Sequence, residues 1–436
     1  MRPHARILAA AVLCLLAPLA AVAQESPRIA ALRERAAAGD WAALSRFWSE
    51  VDKQGTPLVE SINQENVLVT FLWRGGDKTK GVVVLGSVAN KAPMERIPGT
   101  DVWFRSVVVR RDARFTYRLA PNADPKADAF PSARWDPRNR KPFPKSDPLL
   151  SLAEMPDAPS LTWVAKRPDV AAGKVTVEEP IRSKALGGKR EMRVYTPAGY
   201  SAEAEPYRLL IVPDGLAYTT LIPLPVILDN LIAAGEIPPV VAVLVDRPDS
   251  ANRDSDLSCN KAYARFLAEE VLPWVRQKYR VTADPAGTVL AGSSRGGLAA
   301  ACAAIEHPEL FGNVLSQSGS FVWPEKEPEP EWVRRHLEAS PKLPLRFYLD
   351  VGLLEVWPTN DGKGASLLDA NRRLRDVLQS KGYVVRYAEY SGGHGHANWQ
   401  GTISEGLKAL LGKKDEGDGV PPPSAGLPAR NGNPGP

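Results

Sequence analysis

The sequence of 436 residues has few of the side chains that build metal centres: three cysteines and five histidines. Only His394 and His396 lie close together, and no cysteine is near them, which argues against a zinc site. A glycine-rich phosphate-binding loop is also missing. The formal net charge is only +5, and its basic residues are spread along the chain, which argues against nucleic acid as a partner. We therefore expect a protein that uses no cofactor and no bound metal.

Long apolar runs are also missing, except near the N-terminus. Arg2 and Arg6 precede an apolar stretch at residues 7–16, and Ala21-Val22-Ala23 supplies the small residues of a signal-peptidase site. The stretch is too short for a membrane anchor, which needs about 20 apolar residues. We expect residues 1–23 to be a cleaved signal peptide, the protein to be periplasmic, and no stable membrane span to remain. Cleavage removes two of the 55 basic residues and none of the 50 acidic ones, which leaves a formal charge of +3.

Cys259 and Cys302 are the two cysteines that remain after this cleavage. An oxidising compartment permits a disulfide between them. Cys302, however, lies in a run of small apolar residues at 298–304, where a buried free thiol is common. Of these two alternatives we expect two free thiols.

Hydrophobic patterning divides the rest of the chain into segments. Residues 24–56 predict an N-terminal helical segment, and residues 57–125 alternate apolar and polar side chains between turn signals, which predicts a small β-sandwich. Residues 126–174 are rich in proline, aspartate and basic residues and predict a Pro-rich linker. Residues 412–436 have almost nothing to bury and predict a disordered tail.

Residues 175–411 show a different pattern, in which apolar runs of strand length alternate with helical patterns. The runs at residues 209–213, 240–246 and 287–292 lack polar alternation, as buried parallel strands do. Alternating strands and helices predict a doubly wound domain of the α/β class.

Gly292-Ser293-Ser294-Arg295-Gly296 matches the nucleophile-elbow pattern Gly-x-Ser-x-Gly. It follows a strand-like run and precedes a helix-like run of small residues, which is the context that the motif requires. In so tight a turn only small residues fit beside the serine, whose hydroxyl stands at the edge of the sheet. The sequence thus predicts an α/β-hydrolase catalytic domain after a small β-sandwich domain. Ser294 is the expected nucleophile, and Ser293 is the alternative.

In this fold an acid and then a histidine follow the nucleophile along the chain. His394 follows the last expected strand, and Gly392-Gly393 would let its loop bend back over Ser294. We expect His394 to be the general base; His396 could instead be the base, a supporting group or a substrate contact.

The acid is expected on the loop after the strand at residues 345–351. Glu355 is the preferred residue and Asp361 the alternative, whereas Asp350 inside the strand is expected to be structural. A carboxylate in this place fixes the tautomer of the histidine and stabilises its imidazolium form.

A tetrahedral intermediate needs two backbone N–H donors for its oxyanion. We expect one from Arg295, directly after the nucleophile, and the other from Leu216, after the strand at residues 209–213. A plain β-turn at Pro213-Asp214-Gly215-Leu216 is compatible with this role.

Over most of its length the chain resembles the enterochelin (enterobactin) esterase family. The matching stretches are Arg96-Ile97-Pro98-Gly99-Thr100-Asp101-Val102-Trp103, Val212-Pro213-Asp214-Gly215, Arg253 with Leu257-Ser258-Cys259-Asn260, residues 291–298 around Ser294, residues 311–320, and Gly392-Gly393-His394 with Trp399.

The resemblance implies hydrolysis of the trilactone ester bonds of a catecholate siderophore, a small-molecule partner that is usually bound to ferric iron. It also implies an N-terminal sandwich that helps to cover the substrate, with iron present only as part of the substrate complex. Two departures leave the exact siderophore open. Arg295 stands where the family often has an aromatic residue, and Asp256 stands where it often has glutamate.

A ferric catecholate complex carries a net charge of roughly −3, which arginine side chains pair with well. Arg247 and Arg253 lie on loops at the expected active-site edge of the sheet, and a structural salt bridge is the alternative role for either. Asn260 and Trp399, from the stretches that match the family, complete the expected substrate-binding set.

Other functions share parts of this pattern. A general carboxylesterase or feruloyl-type esterase has the same elbow but does not need the loop from Arg253 to Asn260, and a mycolyl-type acyltransferase shares the turn at Asp214. A non-catalytic siderophore- or glycan-binding protein could keep the fold, although the presence of Ser294 and His394 argues against it.

Overall fold

A computed structural model of the chain describes residues 25–127, 130–144, 150–246, 253–324, 329–359 and 364–412. The signal peptide and tail expected from the sequence, together with Arg247 and Asp361, lie outside these residues, apart from Gly412. Across the described ranges, no helix is both long and apolar enough to cross a bilayer.

The helices of the described residues, in chain order, are α1 (Pro27–Ala37), α2 (Trp41–Gln54), α3 (Ala217–Thr220), α4 (Leu224–Ala233), α5 (Arg253–Asp256), α6 (Lys261–Arg265), α7 (Leu272–Lys278), α8 (Arg295–Glu306), α9 (Trp332–Ala339), α10 (Leu367–Ser380) and α11 (His396–Leu411). A π-helical segment, Phe266–Val271, joins α6 to α7.

The strands are β1 (Leu58–Ser61), β2 (Asn66–Arg74), β3 (Val82–Gly86), β4 (Ala92–Pro93), β5 (Glu95–Arg96), β6 (Val102–Arg110), β7 (Arg114–Pro121), β8 (Pro142–Phe143), β9 (Leu150–Glu154), β10 (Lys174–Arg182), β11 (Lys189–Thr196), β12 (Arg208–Pro213), β13 (Val240–Asp246), β14 (Thr288–Ser293), β15 (Asn313–Gln317), β16 (Arg346–Gly352) and β17 (Val384–Tyr390).

The N-terminal part combines a helical hairpin with a β-sandwich. Side-chain oxygens of Ser26 and Asp40 accept backbone N–H groups at the starts of α1 and α2, which explains where these helices begin. The hairpin buries Phe47 and Trp48 against a four-stranded sheet in the order β1-β2-β6-β5. A five-stranded sheet, β4-β3-β7-β9-β8, packs on the other face through apolar side chains that include Phe71 and residues of β7.

The prediction of a linker at residues 126–174 is wrong for much of that segment. β8 and β9 lie within it and extend the second sheet of the sandwich, with Ser151 buried. Asp136 is 1% exposed, and its carboxylate accepts hydrogen bonds from Thr56 Oγ1 at 2.7 Å and the Tyr117 hydroxyl at 2.8 Å. The polar composition misled the prediction because these polar groups find their partners in residues distant along the chain.

The C-terminal part contains an eight-stranded sheet in the order β10-β11-β13-β12-β14-β15-β16-β17. β11 pairs antiparallel with both β10 and β13, and the pairs from β13 to β17 are parallel. Alternate side chains of one strand enter different clusters: Leu209 faces the side of α8 and α10, and Leu210 the side of α4 and α11. Helices thus cover both faces, which confirms the predicted doubly wound α/β class and the α/β-hydrolase fold.

The two cysteines are joined, so the expectation of two free thiols is wrong. Cys259 lies in the loop before α6, Cys302 lies in α8, and their Cα atoms are 5.2 Å apart in a disulfide. Packing of α6 against α8 brings together two residues separated by 43 positions. The small side chains around Cys302 allow that close approach and do not indicate an isolated thiol.

Candidate active site

Ser294 occupies the sharp turn between β14 and α8. Its backbone angles, φ of 56° and ψ of −121°, lie in a region that residues other than glycine rarely adopt, as expected for a nucleophile elbow. A Cβ atom added to Gly292 would lie 2.4 Å from the backbone carbon of Gly296, so neighbouring backbone leaves no room for a side chain there. The Ser294 N–H donates to the Gln317 carbonyl at 2.8 Å, which holds the turn against β15.

The two serines of the elbow lie in different environments. Ser293 is 4% exposed, whereas Ser294 is half-buried and its Oγ lies 3.3 Å from Ser320 Oγ. Ser294 also lies at the N-terminus of α8, whose aligned peptide dipoles favour negative charge. The arrangement therefore favours Ser294 as the nucleophile and the Arg295 N–H as one oxyanion donor.

Glu355 and His394 come together although 39 positions separate them. Oε2 of Glu355 lies 2.7 Å from Nδ1 of His394, and the Glu355 side chain is 1% exposed. A carboxylate in this place accepts the Nδ1 proton, which leaves Nε2 of the imidazole as the proton acceptor. This is the tautomer that a general base needs.

The second oxygen of Glu355 is held by neutral donors. It accepts the Ser318 hydroxyl at 2.6 Å, the Gly352 N–H at 2.8 Å and the Tyr390 hydroxyl at 3.2 Å. Ser318 and Tyr390 were missed in the sequence. Ser318 directly follows β15 and Tyr390 ends β17, so their positions at the carboxyl ends of neighbouring strands were the available signal.

Trp399 is not placed to bind substrate, contrary to the sequence-based expectation. It is 4% exposed, belongs to the apolar core, and donates from Nε1 to Ser318 Oγ at 3.0 Å. Its ring packs edge-on against the rings of His394 and His396, at centroid distances of 4.8 and 5.0 Å. The indole packs on the buried side of both histidines, because α11 begins at His396 and the side chains that follow in its first turn, Trp399 included, are buried.

Arg253 lies at the same edge of the sheet but is already paired. Its Nε and Nη2 donate to the two carboxylate oxygens of Asp214 at 2.7 and 2.6 Å, and this pairing raises the pKa of the guanidinium. The side chain is 33% exposed. The charge expected to attract an anionic substrate is thus partly neutralised by Asp214.

His396 lies near this pair. Burial lowers the pKa of His396 to about 4, helped by repulsion from His394 and Arg253 and opposed by the charge of Asp214. The imidazole is therefore neutral at physiological pH. A neutral, half-buried ring beside the base fits the supporting role that was the alternative for His396.

The structure gives Leu216 a different role from the expected one. Its N–H donates to Asp246 Oδ1 at 2.7 Å, and the Asp246 carboxylate also pairs with Arg193. This N–H is engaged within the protein and does not form the second oxyanion donor, so that prediction is corrected. The cause is Asp246 at the end of β13, whose position beside the turn depends on the crossover order of the strands.

Asn260 has a structural role as well. Its Oδ1 accepts the Ala262 N–H at 2.8 Å at the start of α6, and its Nδ2 donates to the Ser255 carbonyl at 3.3 Å. The Asn260 amide therefore caps α6, and the expectation that it contacts substrate is corrected. Asp350, expected to be structural, is fully buried in β16, and burial raises its pKa to about 8.

Possible metal ligands do not cluster in the part of the chain that the structure describes: no three His, Cys, Asp or Glu side chains are placed to hold an ion.

Two sequence profiles match the two parts of the chain. One, described as "Enterochelin esterase, N-terminal", matches residues 68–164; the other, described as "Putative esterase", matches residues 183–410. The iron(III) enterobactin esterase of Dickeya dadantii is 31% identical over 442 residues, covering 89% of this chain and 97% of that protein. The chain belongs to the enterochelin esterase family. It is a carboxylic ester hydrolase.

Other members of the enterochelin esterase family agree in sequence and in structure. The iron(III) salmochelin esterase of Escherichia coli O6:H1 is 30% identical over 89% of this chain and 99% of its own length. The crystal structure of ferric enterobactin esterase from Salmonella typhimurium superposes with a TM-score of 0.69 at 28% identity, covering 84% of this chain and 98% of that chain. Enterobactin esterase from Shigella flexneri, solved in the presence of enterobactin, has a TM-score of 0.67 at 27% identity, with 83% and 97% covered.

Proposed function

We propose that the protein hydrolyses the trilactone ester bonds of a catecholate siderophore, ferric enterobactin or a close analogue, and so aids iron release. The observation that supports this most directly is the Glu355–His394 pair at 2.7 Å in a chain that matches iron(III) enterobactin and salmochelin esterases over almost their whole length. Iron belongs to the substrate complex in this proposal, and the enzyme itself uses no cofactor.

In the proposed reaction the Ser294 hydroxyl attacks the ester carbonyl while Nε2 of His394 accepts its proton. Glu355 stabilises the imidazolium that forms, and the Arg295 N–H at the start of α8 donates to the oxyanion. The imidazolium then protonates the departing alkoxide, which breaks the ester and leaves an acyl group on Ser294. A water molecule, deprotonated by His394, hydrolyses this acyl-enzyme and restores the serine.

Cleavage of the ring would weaken iron binding for an entropic reason. An intact trilactone holds three catecholate arms as one preorganised hexadentate ligand, and opening it gives linear pieces that must be ordered again around the metal. The same reasoning predicts a preference for the iron-loaded siderophore, because the metal has already gathered its flexible arms into one compact anion.

We also propose that the protein is exported to the periplasm through a cleaved signal peptide over residues 1–23. The basic start, the apolar stretch and the Ala-Val-Ala site support this. Intact-mass measurement of exported protein from the native host tests it: a chain that begins near Gln24 is expected, and one that retains Met1 would refute the proposal.

The deciding experiment is incubation with ferric enterobactin and with the iron-free siderophore, followed by mass spectrometry of the products. We expect linear fragments with water added, formed faster from the ferric complex, and none with Ser294→Ala. The matched control is Ser293→Ala, which changes the neighbouring buried hydroxyl and should retain most activity. Turnover of p-nitrophenyl butyrate without any turnover of siderophore would favour a general esterase. Binding of siderophore with no turnover of either substrate would favour a non-catalytic protein.

A further inference from the structure

The loops that carry the catalytic acid and base meet each other beyond the ends of β16 and β17. The Leu354 N–H donates to the Gly392 carbonyl at 2.9 Å, and the Leu353 N–H donates to the Tyr390 carbonyl at 2.9 Å. Glu355 directly follows the first of these contacts, and His394 lies two residues after Gly392. Any surface that holds these two loops also fixes the distance between the carboxylate and the imidazole.

The β-sandwich supplies such a surface on the base loop. The Arg114 N–H donates to the Ser391 carbonyl at 2.8 Å, and Arg114 forms an isolated parallel β-bridge with Gly392. Arg110 Nε also donates to Ser391 Oγ at 2.9 Å. A Cβ atom added to Gly393 would lie 2.0 Å from Ser87 Oγ and 2.3 Å from Ser87 Cβ. The two residues before His394 therefore press directly against the sandwich.

The sandwich also contacts the acid loop. Trp357 Nε1 donates to the Ser87 carbonyl at 2.7 Å, and the Leu354 side chain packs against the apolar core of the sandwich. Ser87 thus touches both loops, with its carbonyl on the acid side and its side chain on the base side.

The sandwich surface is itself firmly held. Arg114 is buried, pairs with Glu154 at 2.9 Å, and donates to the Pro159 carbonyl at 2.6 Å. Arg110 pairs with Asp112 through two hydrogen bonds of 3.0 and 3.1 Å. At Arg114 the base loop therefore rests on a buried and paired part of the sandwich, as a precisely aligned catalytic pair requires, whereas the Arg110–Asp112 pair is exposed.

We propose that Ser87 and Arg110 of the β-sandwich are positioning residues for catalysis: they hold the loops of Glu355 and His394 at the spacing that aligns the acid with the base. The sandwich then acts in the ester hydrolysis itself, in addition to any covering of the substrate. A misplacement of about 1 Å in an active site can cost about 100-fold in rate, so this contact is large enough to matter. The proposal concerns the hydrolytic machinery and does not depend on which ester is the natural substrate.

The test is a pair of compensating substitutions in the full chain, assayed on p-nitrophenyl butyrate. Gly393→Ala places a methyl group against Ser87, so we expect kcat to fall at least about tenfold, with KM nearly unchanged. Ser87→Gly removes both clashing atoms, keeps the carbonyl that Trp357 binds, and leaves the next Ser87 atom 3.8 Å away. We expect Ser87→Gly combined with Gly393→Ala to regain most of that kcat.

The pH profile separates positioning from loss of folded protein. If Gly393→Ala draws His394 away from Glu355, its imidazolium loses stabilisation and the acid limb of kcat/KM moves to lower pH. Loss of folded enzyme would lower the whole profile without moving it. Wild-type kcat in Gly393→Ala, no recovery in the double variant, or a profile that falls without moving would each overturn the proposal.

Arg110 provides a milder test with a neighbouring control. Arg110→Gln should lower kcat several-fold, because the Ser391 hydroxyl loses the hydrogen bond that it accepts from Arg110 Nε. Arg111→Gln removes an arginine that pairs with Asp157 and Ser61 instead, and should leave kcat unchanged. Equal effects of the two substitutions would contradict a role for Arg110 in positioning.

Discussion

Two carboxylates flank the histidines of this site, and they are stabilised in opposite ways. Glu355 is 1% exposed and is held by His394 and by three neutral donors, the Ser318 hydroxyl, the Gly352 N–H and the Tyr390 hydroxyl. Asp214 is 22% exposed and is held by the guanidinium of Arg253. The charge of Glu355 is therefore available to an imidazolium that forms during the reaction, whereas the charge of Asp214 is already compensated. This difference explains why His394, rather than His396, is suited to be the base.

The largest expected effect comes from replacing each histidine in turn. His394→Ala should lower kcat/KM for p-nitrophenyl butyrate by about 10³-fold or more, because the serine loses its proton acceptor. His396→Ala should cost less than about tenfold, because a ring whose pKa is lowered to about 4, beside a carboxylate that already pairs with Arg253, is a poor proton acceptor. Steady-state kinetics on the two variants decides the matter, and the reverse order of damage would exchange the roles of the two residues.

The second effect comes from neutralising each carboxylate. Glu355→Gln should lower kcat by about 10² to 10⁴-fold, because the amide neither fixes the tautomer nor stabilises the imidazolium. Asp214→Asn should change kcat for the same small ester by less than about tenfold. If Asp214→Asn were the more damaging change, the carboxylate that Arg253 binds would be the catalytic one. Asp361→Asn, which tests the other candidate acid from the sequence, is expected to be mild.

The third effect is on stability and pH. Because the pKa of His396 is lowered from 6.5 to about 4, the unfolded chain binds a proton between these values that the folded protein does not. The folded state should therefore lose stability as pH falls from about 6.5 to about 4, by about 3 kcal/mol from this residue. Urea unfolding of wild type and His396→Gln at pH 7 and 4.5 measures it. If His396→Gln loses as much stability between pH 7 and 4.5 as the wild type does, other titrating groups cause the loss.

The smallest expected effect concerns the Arg253–Asp214 pair. Arg253→Ala should lower the free energy of unfolding by about 1 kcal/mol, because a partly exposed pair contributes little beyond its two hydrogen bonds. Adding Asp214→Asn should recover part of that loss. The KM values for ferric enterobactin and p-nitrophenyl butyrate then test whether Arg253 binds substrate. We expect Arg253→Ala to raise the KM for ferric enterobactin and to leave the KM for p-nitrophenyl butyrate nearly unchanged. An equal rise for both substrates would leave Arg253 a purely structural role.

The sequence alone determined the features that depend on local patterns. The alternation of apolar runs and helical segments predicts the doubly wound domain, and the sheet order confirms it. The glycines around Ser294 predict the elbow because only small residues fit so tight a turn. The order of nucleophile, acid and base along the chain leads to Glu355 and His394, since each lies on a loop just after a strand.

Only the tertiary structure decided the features that join distant parts of the chain. Strand crossovers place Asp246 where it takes the Leu216 N–H, and helix packing joins Cys259 to Cys302. Trp399 is buried for a similar reason, because α11 packs against the sheet and Trp399 lies on the face of the helix that enters the core. The hydrogen bond between Trp357 and Ser87 joins residues 270 positions apart. Such pairings depend on the whole path of the backbone, so no local run of residues encodes them.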